Sequence, residues 1–314
     1  MRVVPPSALV VCSIVPVQVG AGLAGRMFGQ VTPAVMTGLR LWSSALIVAA
    51  FGGRELARSL RDLAAERAWR DAAVAVAFGA TLGIMNYSIY QSFARIPLGI
   101  AVTIEFLGPL AVAVASSRRL IDLAWVGLAG TGVALLSNGW SSLAAHGGRA
   151  PGGGAGTAVV GVAFALVSAA GWAAYIVLST STGRRFRGSS GLVIAMVIGA
   201  IVVTPAAAAQ GSGGHGSVLR LGVLGTGAAI GLLSSVIPYR LELEALRRIP
   251  ARVFGIWMSL EPAVAALVGL VLLSEALAAR EWAAIACVTA ACAGAARGAA
   301  EPDSAPGGAP PPTP

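Results

Sequence analysis

Lysine is absent from this 314-residue chain, histidine occurs twice, cysteine three times, and charged residues of every kind make up only 11% of it. Each shortage excludes something. No phosphate loop ending in Gly-Lys is present, His146 and His215 are too few and too far apart for a metal-ligand spacing, and no G-x-S-x-G serine occurs. Catalytic machinery is therefore not visible, and neither a cofactor nor a metal is expected. The cysteines are odd in number and all three, Cys12, Cys287 and Cys292, fall in apolar runs, which argues against a disulfide framework. Cys287 and Cys292 stand five apart on one run, a poor spacing for shared metal ligation.

What fills the chain instead is hydrocarbon. Hydrophobic residues make up 56% of it and mean hydropathy is +0.80, more apolar surface than a soluble core can hide. The surrounding solvent must be lipid. About 20 apolar residues carry a helix across a bilayer, and ten such runs are present: 7–25, 32–51, 72–94, 97–116, 121–140, 157–179, 189–209, 219–246, 251–273 and 281–298. They are much longer than barrel strands, and backbone groups in lipid must be bonded internally, so the expected fold is an all-α membrane protein with ten transmembrane helices. The first run follows a short basic leader, but its length and direct passage into a second run read as a retained helix rather than a cleaved signal. Gly79-x3-Gly83 and Gly227-x3-Gly231 have the small-residue spacing that suits close helix contact.

The net charge of +9 comes entirely from arginine. These residues are scattered through short loops rather than gathered on one face, which speaks against nucleic-acid binding and for positive-inside orientation. With the N-terminus in the cytoplasm, sixteen of the 22 arginines face inward, five face outward (Arg26, Arg95, Arg149, Arg220, Arg280), and Arg40 alone lies within a run. Both termini are thus expected in the cytoplasm. Residues 54–70 mix charges with Leu56, Leu60, Leu63 and Trp69 at helical spacing, the pattern of an amphipathic segment on the cytoplasmic membrane face. The tail after Arg297 is rich in proline and glycine and poor in apolar residues, which predicts disorder.

One motif occurs twice. Arg95-Ile96-Pro97 is followed after eleven residues by Pro109, and Arg248-Ile249-Pro250 after eleven residues by Pro262. Five runs precede the Gly-rich connector 141–156 and five follow it, so the chain divides into a first five-helix repeat (1–140), the connector, a second repeat (157–298) and a tail (299–314). An odd number of crossings inverts the second repeat. The charge agrees: the first turn carries Arg95 alone, the second Arg247, Arg248 and Arg252. Duplicated, inverted units of this kind build many transporters, with the solute site at the junction of the repeats. In each turn the proline is expected at the first helical position, where its missing N–H costs nothing. Gly20-x-Gly22-x-x-Gly25 matches a dinucleotide fingerprint but lies in an apolar run and follows no strand, so it carries no such role.

Charged groups inside spans need a partner or a task, because a carboxylate or guanidinium at mid-membrane costs roughly 2.5–3.5 kcal/mol on insertion scales. Glu105 and Glu261 sit near the middle of runs four and nine, and Arg40 about halfway along run two. A mutual ion pair bracing the helices and a solute pathway are both open for Arg40; the glutamates point to a cavity. Superposing the two motifs relates residues 153 positions apart. Tyr87 and Gln91 then match Arg240 and Glu244, each pair at i, i+4 on one helix face, and Asn86 matches Tyr239. Glu105 matches Met258 and Glu261 matches Gly108, so the charges break the symmetry, as a discriminating site requires. Trp172 and Tyr175, with Gln18, are candidates to complete the wall. If transport is proton-linked, the histidines lie in outward loops and the proton must ride on Glu105 or Glu261.

The stretch RIPLGIAVTIEFLGP (95–109), followed by LAVAVASSRR, and the later blocks PYRLELEALRRIP (238–250) and FGIWMSLEP (254–262), resemble the EamA-type branch of the drug/metabolite transporter superfamily, more narrowly its threonine/homoserine exporters. The resemblance covers nearly all of the chain except the tail. It implies two inverted EamA repeats in a bacterial inner membrane, export of small amino acids or related polar metabolites by alternating access, and a central cavity onto which Glu105, Glu242 and Glu261 map. Partners so implied are a small-molecule solute, the lipid bilayer and, under coupling, protons; a monomer and a homodimer are both compatible. Other readings left open by the residues are a uniporter, a drug-efflux carrier and a non-transporting sensor or assembly protein. For orientation, alkaline phosphatase fused within 141–156 should be active and the same enzyme fused after Gly298 inactive; the opposite pattern would overturn the cytoplasmic placement of the termini.

Overall fold

The computed structural model describes residues 5–65, 69–115, 121–137, 155–185, 190–211 and 220–298. Side chains of some helical residues, Tyr239 and Arg240 among them, fall outside that description, as do residues 141–154 of the connector and the tail 299–314. The described residues are helical and contain no strand. They form ten rods: α1 (Pro6–Met27), α2 (Pro33–Ala65), α3 (Trp69–Phe93), α4 (Leu98–Glu105 and Leu107–Ala115), α5 (Ile121–Ser137), α6 (Ala155–Arg185), α7 (Ser190–Gly211), α8 (Leu221–Gly231 and Ile237–Leu246, joined by a π-turn over Leu232–Val236), α9 (Ala251–Met258 and Glu261–Leu273) and α10 (Ala279–Gly298).

Seven of these rods contain a stretch long and apolar enough to cross a membrane by length and composition. In α5 and α8 the apolar stretches are shorter, Ile121–Leu136 and Leu221–Val236, and α10 opens on Arg280 and Glu281. The number of helices therefore matches expectation, although in α5 and α8 the apolar stretch is shorter than a full span and α10 begins with charged residues. Helix α2 runs unbroken through 33 residues, about 50 Å at 1.5 Å per residue. The charged stretch from residue 54 to 65 thus prolongs a spanning rod instead of forming a segment of its own.

Between the two halves of the chain, α1 packs on α8 and α9, α2 on α7 and α8, α3 on α6 and α7, α4 on α6, α9 and α10, and α5 on α10. Exchanging each helix with the one five places later maps every one of these contacts onto a member of the set except α4 on α10. The two Arg-Ile-Pro turns share a backbone conformation. Arg95 and Ile96 donate their N–H groups to the Ser92 carbonyl at 2.8 and 2.9 Å, and Arg248 and Ile249 donate to the Ala245 carbonyl at 2.8 and 3.0 Å. Both prolines take the N-cap position, Pro97 at φ −55, ψ 142 and Pro250 at φ −56, ψ 145. That is one place earlier than expected, since the extended ψ marks the residue before the first helical one. Eight residues on, both helices break, at Phe106 and at Ser259.

Close helix contact rests on glycine where foreseen. A Cβ on Gly83 would stand 2.8 Å from the Gly199 carbonyl oxygen on α7, and one on Gly79 2.5 Å from Ile198 Cβ. Gly227 and Gly231 admit Leu39 and Ser43 of α2 in the same way, and Gly20 of the rejected dinucleotide match lies against the Ser234 hydroxyl. Gly83→Val should cost about 1–3 kcal/mol through overpacking, read as a lower melting temperature of the detergent-purified protein; an unchanged melting temperature would refute the α3–α7 backbone contact.

Candidate solute site

A cavity of about 270 Å³ lies between the halves, with walls from α1, α2, α3, α4, α6, α7, α8 and α9. On α3 the lining residues are Leu82, Met85, Asn86, Ile89, Tyr90 and Phe93, a single face at i, i+3, i+4 spacing. On α8 they are Ser234, Ser235, Pro238 and Glu242. Four lining pairs are related by the 153-residue offset: Leu82 and Ser235, Met85 and Pro238, Ile89 and Glu242, Glu105 and Met258. At each of the three α3–α8 pairs the first-half member is apolar.

The charged groups are held by neighbours that the helix breaks and small residues bring near. Arg40 donates from Nη1 to Asn86 Oδ1 at 2.6 Å and from Nη2 to the Ser234 carbonyl at 3.3 Å, and its guanidinium lies 5.5 Å from the Tyr90 ring centroid. The Ser234 carbonyl belongs to the π-turn, where a widened helix leaves backbone groups for outside partners. Glu105, the last residue before the break in α4, accepts the Ser168 hydroxyl at 2.5 Å. Glu261, the first residue after the break in α9, accepts Gln18 Nε2–H at 2.8 Å. Among the described residues neither glutamate forms an ion pair with Arg40, so the bracing pair left open by the sequence is not what fills this space. Trp172 lines the cavity and meets Phe106 edge-on, with centroids 4.8 Å apart; Tyr175 lines it and stacks on Phe78 at 5.0 Å.

Several buried polar atoms have no hydrogen-bond partner, and five of them sit on residues lining this cavity: Gln18 Oε1, Arg40 Nε, the Tyr90 and Ser234 hydroxyls, and Glu261 Oε2. Each such atom left unpaired costs about 1–3 kcal/mol.

Of the residues singled out from sequence, Arg40, Asn86, Glu105, Trp172, Tyr175, Glu242 and Glu261 line the cavity, together with Gln18. Tyr87 and Gln91 share a face, but it is the neighbouring one. The Tyr87 hydroxyl accepts Gln210 Nε2–H at 3.3 Å and its ring packs edge-on against Phe164, while Gln91 Oε1 accepts Arg95 Nη1–H at 2.7 Å. Glu244 is turned to the surface, where it pairs with Arg248 and Arg247. The side chains of Tyr239 and Arg240 lie outside the described residues. Sequence reasoning passed over Tyr90, although it stands one turn beyond Asn86 on the lining face; Ser168 and Ser234 gave no signal in their apolar settings. The thiols are free: Cys12 is exposed, Cys287 half-buried, and Cys292 buried with its S–H toward the Phe106 carbonyl at the α4 break.

The described residues at the end of the bundle that carries the first Arg-Ile-Pro turn are closely packed. Tyr90, Phe93, Ile96, Leu98, Ile100 and Val31 pack there in one buried cluster. Two polar links close it further: Arg26 Nε–H donates to the Leu272 carbonyl at 2.6 Å, and the Leu98 N–H donates to Glu275 Oε2 at 2.9 Å. From its centre the cavity extends the other way, along Tyr175, Leu192, Met196, Pro238 and Glu242.

Residues 159–297 match the EamA-like transporter family. The threonine/homoserine exporters RhtA of Salmonella typhimurium (strain LT2) and Escherichia coli (strain K12) are each 36% identical to the chain over 274 residues, which is 87% of this chain and 84% of theirs. The chain belongs to the EamA-like transporter family. A crystal structure of another protein, 18% identical, shares the fold, with a TM-score of 0.58 over 93% of this chain and 98% of that one. As an EamA-like transporter the protein is a multi-pass membrane transporter of a small-molecule solute and not an enzyme. Within that family setting the Arg40–Asn86 contact anchors the only guanidinium among the described residues that line the cavity. Asn86→Leu should leave that buried cation one bond short and lower stability by about 1–3 kcal/mol, measured as the melting temperature in detergent; no change would remove the anchoring role.

Proposed function

We propose that this EamA-like transporter exports small amino acids of the threonine/homoserine kind, or closely related polar metabolites, by alternating access of one central cavity. Two inverted five-helix halves, residues 1–140 and 157–298, rock about that cavity, and both termini lie in the cytoplasm. Glu105 and Glu261 meet the solute's ammonium group or a coupling proton, and Arg40 meets its carboxylate.

The observation that carries this reading is the cavity on the seam, with positions paired by the 153-residue offset, three glutamates and an arginine within it. Support for the inverted halves comes from helix contacts that, α4 on α10 apart, exchange between the halves, from the matched turns, and from five rods in each half, an odd number that turns the second half over. A carrier that works by alternating access seals one end while the other admits solute. The buried cluster beneath Tyr90 and the extension toward Glu242 fit that requirement. Three carboxyl groups around one small space repel one another when ionised, so a cation or a proton entering it lowers the energy of the site. The relatives are named for threonine and homoserine export, and a space of this volume suits solutes of that size.

Glu261→Gln keeps the shape and the contact to Gln18 while removing the charge. Export of threonine or homoserine from preloaded cells should fall at least tenfold, with membrane insertion unchanged by quantitative blotting. Undiminished export would count against the assignment.

A further inference from the structure

Of the five unbonded atoms on cavity-lining residues, four sort by sign, and the fifth, the Ser234 hydroxyl, can serve either sign. On one side stand two acceptors. Gln18 turns its amide N–H toward Glu261 Oε1, because a carboxyl oxygen needs a donor there, and this leaves Gln18 Oε1 and Glu261 Oε2, both on cavity-lining residues, with nothing to accept from. On the other side stand two groups able to donate. Arg40 spends Nη1 and Nη2 on Asn86 and the Ser234 carbonyl, which leaves its Nε–H unbonded; the Tyr90 hydroxyl stands beside the same guanidinium, which can only donate to it, so the Tyr90 O–H has no acceptor. Gln18 and Tyr90 are 2% and 1% exposed, so bulk water does not reach them.

Resting on the export reading above, we infer that the solute is a zwitterion held at both charges: Gln18 Oε1 and Glu261 Oε2 take its ammonium group, while Arg40 Nε–H and the Tyr90 hydroxyl take its carboxylate. A single small molecule carrying one group of each kind then bonds four buried atoms. A compound with only one of the two charges leaves a pair unsatisfied, and a site built to bond a polar group rejects the analogue that lacks it. The cavity, at about 270 Å³, lies at the low end of the roughly 300–1,000 Å³ range of ligand pockets, which favours short side chains. Tyr90 and Gln18 become specificity-determining residues, one for each end of the solute.

The test uses the purified full-length protein in lipid nanodiscs and three probes of nearly equal size: threonine, threonine methyl ester, which loses the carboxylate, and 2,3-dihydroxybutanoate, in which a hydroxyl replaces the amine. By titration calorimetry the wild type should bind threonine at least tenfold more tightly than either analogue. Tyr90→Phe should weaken threonine and dihydroxybutanoate at least fivefold and leave the ester unchanged. Gln18→Leu should weaken threonine and the ester and leave dihydroxybutanoate unchanged. Each variant is accepted only with a wild-type elution profile and a cooperative melt; where Gln18→Leu fails this, Gln18→Met serves. Equal losses for all three probes, or none, would overturn the two-ended arrangement, as would wild-type affinity for the ester equal to that for threonine, while export itself would stand. Absence of binding by every proteinogenic amino acid to folded wild type would overturn the arrangement together with the export reading on which it rests.

Discussion

A polar group inside a lipid-solvated bundle has no water to fall back on, and the placement of every important side chain here follows from that. Glu105 of α4 takes its hydrogen bond from Ser168 of α6, Glu261 of α9 from Gln18 of α1, and Arg40 of α2 gives one to the Ser234 carbonyl of α8. In all three cases the partner belongs to the other half of the chain. Charge that lipid would expel is gathered on the seam, and the seam is held together by the same charge. Under the proposed alternating access, movement of one half against the other would exchange these partners, so the polar groups proposed to meet a solute would also register which way the bundle is open.

The scaffold and the chemistry obey different symmetries. The turns, the N-cap prolines and the helix breaks repeat with nearly equal angles, because backbone conformation follows from a short motif and its proline. The carboxylates do not repeat: one ends a helical segment before a break, the other begins a segment after one. Helix breaks are where backbone groups lack intrahelical partners, and discontinuous helices are how inverted-repeat carriers present groups at mid-membrane. On the proposed duplication the cavity has two related walls, apolar at Leu82, Met85 and Ile89 and, at the positions matched by the 153-residue offset, bearing Ser235, Pro238 and Glu242.

Much of the fold was legible because apolar length and charge bias are properties of a run of residues, readable without knowing its neighbours. The charged part of the site was legible for the same reason: Arg40, Glu105 and Glu261 stand out against hydrocarbon. The polar uncharged part was not. Periodicity correctly placed Tyr87 and Gln91 together on one face of α3, but α3 packs against several helices at once, and a helix buried on several sides has no solvent face by which to tell the cavity from a packing contact. Tyr87 went to Gln210 and Phe164, Gln91 to Arg95, and Tyr90, which looks like an ordinary core aromatic, went to the cavity.

By itself the amino-acid order determined that the chain is a bundle of membrane helices, that a motif recurs after 153 residues, and that a few ionisable groups lie where lipid does not tolerate them alone, since each of these depends on composition along one segment. Only the tertiary structure decided which face of each helix borders the cavity, which helix meets each charge, and which buried atoms are left without a bond. Those outcomes depend on residues far apart in the chain arriving within about 3 Å of one another, the reach of a hydrogen bond, and no local pattern encodes that meeting.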